Sequence, residues 1–440
     1  MSSVNCLNPL DGRYQTSTYS LRDYFSEYGY MKYRLKVEIE YLIKLRYTLS
    51  ELSELDIPND ALRNLYLNFS FSDMSEIKDI ESRTNHDVKA LEYFIKNKIP
   101  RRRETEFIHF ALTSQDINNT AISLSVKDSI SEVLYPLLKL ILEKLQYFFN
   151  EWKDVPMIGR THGQFASPTT IGKEFYVYYY RINQEYEQLE NLDIYTKFGG
   201  AVGNLNAHFV SYPNIDWITW SNEFIFSLNL KRSQFTTQID SYDSLSRILD
   251  SIKRLSVILI DLCQDLWLYI SYDYIKLKIN ENEIGSSTMP HKVNPINFEN
   301  AEANFKLCSN FSQFLSSELP ISRLQRDLTD STLVRNIGTV FGYFTTACHS
   351  LIKGLKKIDI NREKLYSDLN NNPIVIAEAI QTILRKEGYK NPYEELKKLT
   401  RNKKINMKDL HNFIFDLDVS EKVKNTLYTI TPHNYIGKFI

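Results

Sequence analysis

Apolar residues recur along this chain in steps of three and four. From Leu245 the apolar positions are Ile248, Leu249, Ile252, Leu255, Leu259, Leu262 and Leu266, with Asp250, Lys253, Arg254 and Asp261 between them. That spacing marks one face of an α-helix. The same period runs through Phe175, Tyr178, Tyr179, Ile182, Tyr186 and Leu189. It also runs through Val133–Phe149, where Pro136 predicts a kink. A further long helix is expected after Pro295, through Phe298, Ala301, Phe305, Phe311 and Leu315, and a fifth over roughly 332–355. A helix with one apolar stripe must bury it against others, so the pattern predicts an all-α chain around a central bundle of long helices. Three domains are expected: shorter helices over 1–112, the long-helix bundle over 113–356, and a small helical domain over 357–440.

Composition narrows the picture. Bulky residues, 29 Tyr and 24 Phe against 14 Gly and 13 Pro, favour long helices over strands joined by turns. A formal net charge of -1 leaves no global basic field to recruit nucleic acid or a membrane surface. Cys6, Cys263, Cys308 and Cys348 lie far apart with no CxxC pair, which argues against a zinc knuckle or a disulfide framework and fits reduced thiols. No basic stretch followed by an apolar one opens the sequence, so no secretory signal is expected. The richest apolar run, Val133–Phe149, is broken by Lys139, Glu143 and Lys144, short of the ~20 mostly apolar residues of a spanning helix. The expectation is a soluble, cytoplasmic protein without nucleic-acid or membrane partners.

One stretch is unlike its neighbours. Gly285-Ser286-Ser287-Thr288-Met289-Pro290-His291-Lys292-Val293-Asn294-Pro295 joins two strong helical patterns and is itself not helical in character. Its small and hydroxyl-bearing residues make it pliable, and Pro295 fixes its far end at a helix start. Composition alone fits a plain linker as well as a catalytic loop. The order of the residues distinguishes them: it resembles the signature loop of the fumarase/aspartase superfamily, whose members split fumarate from nitrogen or oxygen. The His after Met-Pro is most similar to the branch that acts on succinylated purine nucleotides. Asp11-Gly12-Arg13-Tyr14, Thr84-Asn85-His86-Asp87-Val88-Lys89-Ala90 and Phe107-Ile108-His109-Phe110 resemble further landmarks of that family. So do Thr113-Ser114-Gln115-Asp116-Ile117-Asn118-Asn119, Arg160-Thr161-His162-Gly163-Gln164 and Gly200-Ala201-Val202-Gly203-Asn204. Arg326-Asp327-Leu328-Thr329-Asp330-Ser331-Thr332 with Arg335 completes the set, in the family's order and over essentially the whole chain.

Eliminating fumarate requires a base for the proton beside a carboxylate, an acid for the departing nitrogen, and donors for the charge that builds up. The resemblance implies Ser286 as the base, deprotonated only inside a closed loop because its unassisted hydroxyl is far too weak an acid. It implies His162 as the acid, a role its near-neutral intrinsic pKa suits. Thr113, Ser114, Lys292, Asn294 and Gln238 would hold the succinyl carboxylates. Arg13, Tyr14, Arg326, Ser331 and Arg335 would bind phosphate and ribose, where the planar fork of arginine pairs two phosphate oxygens. Asn85, His86 and Asp87 would line the same pocket, with Asn300 nearby. No metal and no organic cofactor is implied. Members of the superfamily build each active site from three chains of a homotetramer, and the same is expected here. The alternatives are an argininosuccinate-cleaving member, against which the phosphate-binding arginines argue, and a catalytically silent structural relative, against which the intact Ser286 and His162 argue.

Plainer readings account for other features. His109, among Phe107, Ile108 and Phe110, reads as structural; His208, His349, His411 and His433 have no motif, and His291 is ambiguous. Gly199-Gly200-Ala201-Val202-Gly203 looks like a dinucleotide loop, but no strand or βαβ pattern is visible before it, so a tight turn is expected. Arg101–Arg103 and Arg401–Lys404 read as solvated faces, and Tyr178–Tyr180 as core and surface of one helix. One departure stands out. The family usually has proline where this chain has Phe165, which removes a backbone constraint beside the proposed acid.

Overall fold

The computed structural model describes residues 5–52, 57–99, 103–278, 289, 292–400 and 405–439. Ser286, His291, Arg101, Arg102 and the basic cluster 401–404 lie outside the described residues. The apolar spacing is realised as helices Tyr135–Trp152, Ile171–Glu190, Asp243–Ser271, Ile296–Glu318 and Ile337–Lys357. Two more helices that matter for the site are Glu27–Arg46 and Ser114–Ser129. Strands are short: β1 (Pro156–Thr161) pairs antiparallel with β2 (Gln164–Thr170), β3 (Tyr195–Lys197) pairs parallel with β4 (Lys231–Ser233), and β5 (Ile275–Leu277) pairs antiparallel with β6 (Ile358–Ile360). The fold is mostly helical, as the periodicity predicts.

Three local expectations change. The irregularity predicted at Pro136 takes the form of a π-helical turn, Ile130–Leu134, immediately before the helix that begins at Tyr135. A wider turn there relieves the clash a proline ring would make with the carbonyl four residues back. The helix expected over 332–355 is two helices, Thr329–Val334 and Ile337–Lys357. Asn336 lies at the break, its backbone N–H bonded to Leu333 O at 2.9 Å and its side-chain amide to Thr332 O at 3.0 Å. An Asn side chain that takes a nearby carbonyl competes with the helix ladder. The glycine turn at 199–203 does follow a strand, β3, and the helices Asn206–Ser211 and Trp217–Ser227 lie between β3 and its parallel partner β4. With three residues, β3 is too short to register as an alternating pattern.

The chain divides into two compact units, each drawn from separated stretches: residues 1–138, 185–260 and 301–349 in the first, and 139–184, 261–300 and 350–440 in the second. The first buries Leu35, Leu42, Ile77, Leu91, Phe94, Ile117, Trp217 and Phe224 in one apolar cluster. Tyr41 meets the Trp220 and Phe224 rings edge-on at 5.6 Å. In the second unit Phe148 stacks on Trp152 at 4.5 Å and packs on Phe175 at 4.9 Å. No disulfide links the four cysteines. Among the described residues, no helix is long and apolar enough to cross a membrane.

Candidate active site

In the first unit, a sharp corner between two helices carries Asn85, His86 and Asp87. A capping box at Ser70 opens the helix Phe71–Thr84, and Asn85 ends it in the left-handed region at φ 52°, a conformation asparagine tolerates well. His86 caps the next helix, Asp87–Lys98, its Nδ1 accepting the Lys89 N–H at 3.2 Å. With Nδ1 as acceptor, Nε2 carries the proton of the neutral ring. Asp87 faces two arginines, Arg34 at 2.9 Å and Arg335 at 3.6 Å. Burial pushes the Asp87 carboxyl up, but Arg34, the Val88 N–H and Arg335 outweigh it and hold the group below the usual carboxylate range. Arg335 also lines a cavity of about 360 Å³ together with Asp11, Arg22, Glu27 and Thr339, so the opening motif and the last predicted arginine border one space. Arg13 is exposed and Tyr14 half-buried next to Asp11.

A second group of predicted residues hangs on one buried carboxylate. Asp116, on the first turn of the helix that starts at Ser114, accepts the Thr113 N–H at 2.8 Å. It also accepts Lys197 Nζ at 2.6 Å and the N–H groups of Gly199 and Gly200 at 2.8 and 3.1 Å. Lys197 Nζ donates further to Gly200 O at 2.6 Å. Both charged side chains are fully buried. Burial favours a neutral Asp116, yet the Lys197 ammonium and the backbone donors pull its carboxyl below the ordinary range. For Lys197, burial is the larger influence and lowers it, against the pull of Asp116. We read the pair as ionised, because four donors converge on one carboxylate. The glycine turn therefore spends its N–H groups on a side chain of this chain, and a bound phosphate is not needed to explain it.

The turn leads on to further residues that the sequence singles out. Ala201 O accepts Gln238 Nε2 at 3.0 Å, and Gln238 Oε1 accepts Arg326 Nη1 at 3.0 Å. Arg326 lies 3.9 Å from Asp330, which accepts the Tyr242 hydroxyl at 2.9 Å; Tyr242 in turn accepts from Asn119 at 2.7 Å. Ser331 follows Asp330 in the short helix Thr329–Val334. Thr113 and Ser114 are thus tied through Asp116, the glycine turn and Gln238 to Arg326 and the Ser331 helix.

In the second unit, β1 and β2 form a hairpin whose two turn residues are His162 and Gly163, at φ 54° and 74°. Positive φ at both positions is the signature of the tight turn that matches strand twist, and glycine at the second makes it accessible. A histidine in the left-handed region is uncommon, and such outliers gather at functional sites. The imidazole stands exposed at the tip. Lys292 is exposed, with its N–H bonded to Met289 O at 3.0 Å. The helix Ile296–Glu318 begins directly after Pro295, as expected, with Asn294 before it and Asn300 half-buried within it.

Several residues in these arrangements carry no motif signal. Arg34 and Glu38 sit four apart on the buried face of the helix Glu27–Arg46, at 4% and 1% exposure among Leu35 and Leu42. Arg34 reaches Asp87, and Glu38 accepts from His109 Nδ1 at 2.6 Å. Charged residues on a buried helical face were the available sign. Lys197 offered no such sign, since it lies in a three-residue strand.

Comparison with known proteins identifies the family. A family described as Lyase matches residues 12–308, and one described as Adenylosuccinate lyase C-terminal matches residues 322–436. The chain belongs to the lyases of the fumarase/aspartase class. The adenylosuccinate lyase of Dictyostelium discoideum is 51% identical over 99% of this chain and 97% of its own length. That of Haemophilus influenzae is 45% identical over 99% and 97%, and that of Escherichia coli 44% over 100% and 98%. Within the class, the chain is a member of the adenylosuccinate lyase family. Among solved structures, a fumarate lyase from Mesorhizobium sp. BNC1 matches with a TM-score of 0.74 at 18% identity over 95% of each chain. The 3-carboxy-cis,cis-muconate lactonizing enzyme from Pseudomonas putida matches at 0.73 and 19%, over 95% of this chain and 94% of that one. These two likenesses concern the fold alone.

Proposed function

We propose that this chain cleaves adenylosuccinate to AMP and fumarate, and carries out the same elimination on the succinylated imidazole-carboxamide ribotide, SAICAR, to give AICAR. The observation that carries the reading is full-length identity of 44–51% to adenylosuccinate lyases. Ser286 takes the proton from the carbon beside a succinyl carboxylate. The carbon–nitrogen bond breaks, its electron pair goes to nitrogen, and the imidazole of His162 supplies the proton that nitrogen needs. The carbanion pair becomes the double bond of fumarate. The exposed position of His162 on its turn suits a group that must hand a proton to a bound ligand.

Thr113, Ser114, Gln238, Lys292 and Asn294 hold the succinyl carboxylates, and Lys292 offsets the charge that builds on one of them. Arg13, Tyr14, Arg326, Ser331 and Arg335 hold phosphate and ribose, with Asn85, His86, Asp87 and Asn300 completing the pocket. The ties between Gln238 and Arg326 and between Asp87 and Arg335 support this sorting, because both place a cation beside a polar partner before any ligand arrives. The reading includes a homotetramer with each site drawn from three chains, and the three-part division at 112 and 356. Purified protein supplied with each compound in turn should release fumarate, and Ser286→Ala and His162→Ala should each abolish release while substrate still binds. Absence of fumarate from both compounds rejects the function. Near-normal rates in either variant reject that residue's role.

A further inference from the structure

The hairpin tip that presents His162 has little to hold it. Thr161, His162, Gly163 and Gln164 are all exposed, and a Cβ placed on Gly163 would meet nothing within 4 Å. Among the described residues, no side-chain hydrogen bond or ion pair fixes these four. One strand pair further back, Arg160 stands opposite Phe165. The Arg160 guanidinium lies over the Phe165 ring at 4.4 Å and over the Tyr272 ring at 4.3 Å. Tyr272 belongs to the turn between the helix Asp243–Ser271 and β5, outside the hairpin. The Arg160 charge also acts on the Tyr274 hydroxyl, partly offsetting the upward push of burial. Tyr274 is fully buried and donates to Asp368 at 2.9 Å.

We propose that Phe165, Arg160 and Tyr272 form a positioning clamp that fixes the angle at which the hairpin delivers His162. Phe165 is 43% exposed, so an aromatic ring at this site is not explained by core packing. Its partner is a planar cation that also lies over the Tyr272 ring, outside the hairpin, and such a cation holds an aromatic face directionally. A two-residue turn transmits any rocking of the Arg160–Phe165 pair straight to the imidazole. Displacement of a proton donor by about 1 Å is enough to lower turnover by orders of magnitude. In this chain, aromatic stacking does the work that a ring-locked backbone would otherwise do at position 165.

The inference rests on His162 being the acid, and the test separates the two. Phe165→Leu keeps an apolar side chain but removes the ring face, and Tyr272→Leu does the same from the other side. Each should lower kcat by about tenfold with KM within twofold, and Phe165→Tyr, which keeps the face, should restore parental kcat. In a His162→Ala background, which still binds substrate, Phe165→Leu should leave that affinity within twofold. If His162→Ala is inactive while both leucine variants keep parental kcat, the clamp is wrong and the acid assignment stands. If His162→Ala itself retains near-parental turnover, the acid assignment fails first. A Phe165→Leu defect that Phe165→Tyr does not rescue also overturns the clamp, because packing rather than the aromatic face would then be responsible.

Discussion

Replacing Asp116 by Asn changes one buried charge and almost no volume, and its cost can be bounded from the structure. Lys197 would remain at zero exposure with its counter-charge gone, and two glycine N–H groups would face a half-donating amide. Breaking a buried pair by removing one partner typically costs about 3–5 kcal/mol. The lysine has an escape, which is to lose its proton. From an ordinary pKa near 10.4, neutralisation costs about 4.6 kcal/mol at pH 7 and about 2 kcal/mol at pH 9. The charge-related penalty is therefore capped at those values. In the folded variant Lys197 would be neutral while in the unfolded chain it holds its proton. The unfolded state then binds more protons, so raising the pH stabilises the variant relative to the parent.

The measurement is urea unfolding of parent and Asp116→Asn at pH 7 and pH 9, followed by tryptophan fluorescence. Trp217 and Trp220 lie in the same unit as the pair. Chain concentration must be held fixed, since assembly would otherwise move the apparent stability. The expected loss is about 3–5 kcal/mol at pH 7, shrinking toward about 2 kcal/mol at pH 9. Adding Lys197→Met should recover most of it, because no uncompensated charge is then left buried. A loss below about 1 kcal/mol at pH 7, or one that stays constant to pH 9, would refute the ionised-pair reading.

Other perturbations test other parts of the framework. His208 is fully buried beside Tyr41, and burial pushes its imidazole from 6.5 down to about 4. As the pH falls below 6.5 the unfolded chain takes up the proton first, so stability complete above that value should drop by about 2 kcal/mol between pH 7 and pH 5. His208→Gln should flatten that stretch of the curve, and an unchanged slope would show that other groups produce it. Gly203 sits at φ 87° where a Cβ would meet Thr236 O at 2.1 Å; Gly203→Ala should destabilise by roughly 2–4 kcal/mol and raise KM through the displaced Gln238 segment, and parental unfolding midpoints would contradict this. Asp87→Asn leaves Arg34 buried without its carboxylate and should cost about 3 kcal/mol, read as a shift in urea midpoint. Arg335→Ala should raise KM more than it lowers kcat and weaken the salt dependence of binding; an effect on kcat alone would remove it from phosphate binding.

Helix identity was legible because burial of a stripe demands a period, and the period survives in the sequence wherever an element is long. The helix Asp243–Ser271 is an example, whereas β3 offers three residues and no period could reveal it. The candidate ligands came from ordered motifs, and local physics shows why the order matters: Asn85, His86 and Asp87 are a left-handed cap, an N-cap and a first helical residue in succession. The supporting residues were hidden for a different reason. Arg34, Glu38 and Lys197 are buried charges outside the quoted motifs: the first two look in sequence like interruptions of an apolar face, and Lys197 lies in a strand too short to show a pattern. Each is affordable only because a partner from a distant segment arrives: Asp87 for Arg34, His109 for Glu38, and Asp116 for Lys197. All three pairings involve a residue of a motif, so the buried charges help fix the backbone that carries the candidate ligands. A polar residue that breaks an otherwise regular apolar face is therefore evidence for a site, and its partner is to be sought among the motifs rather than along its own helix.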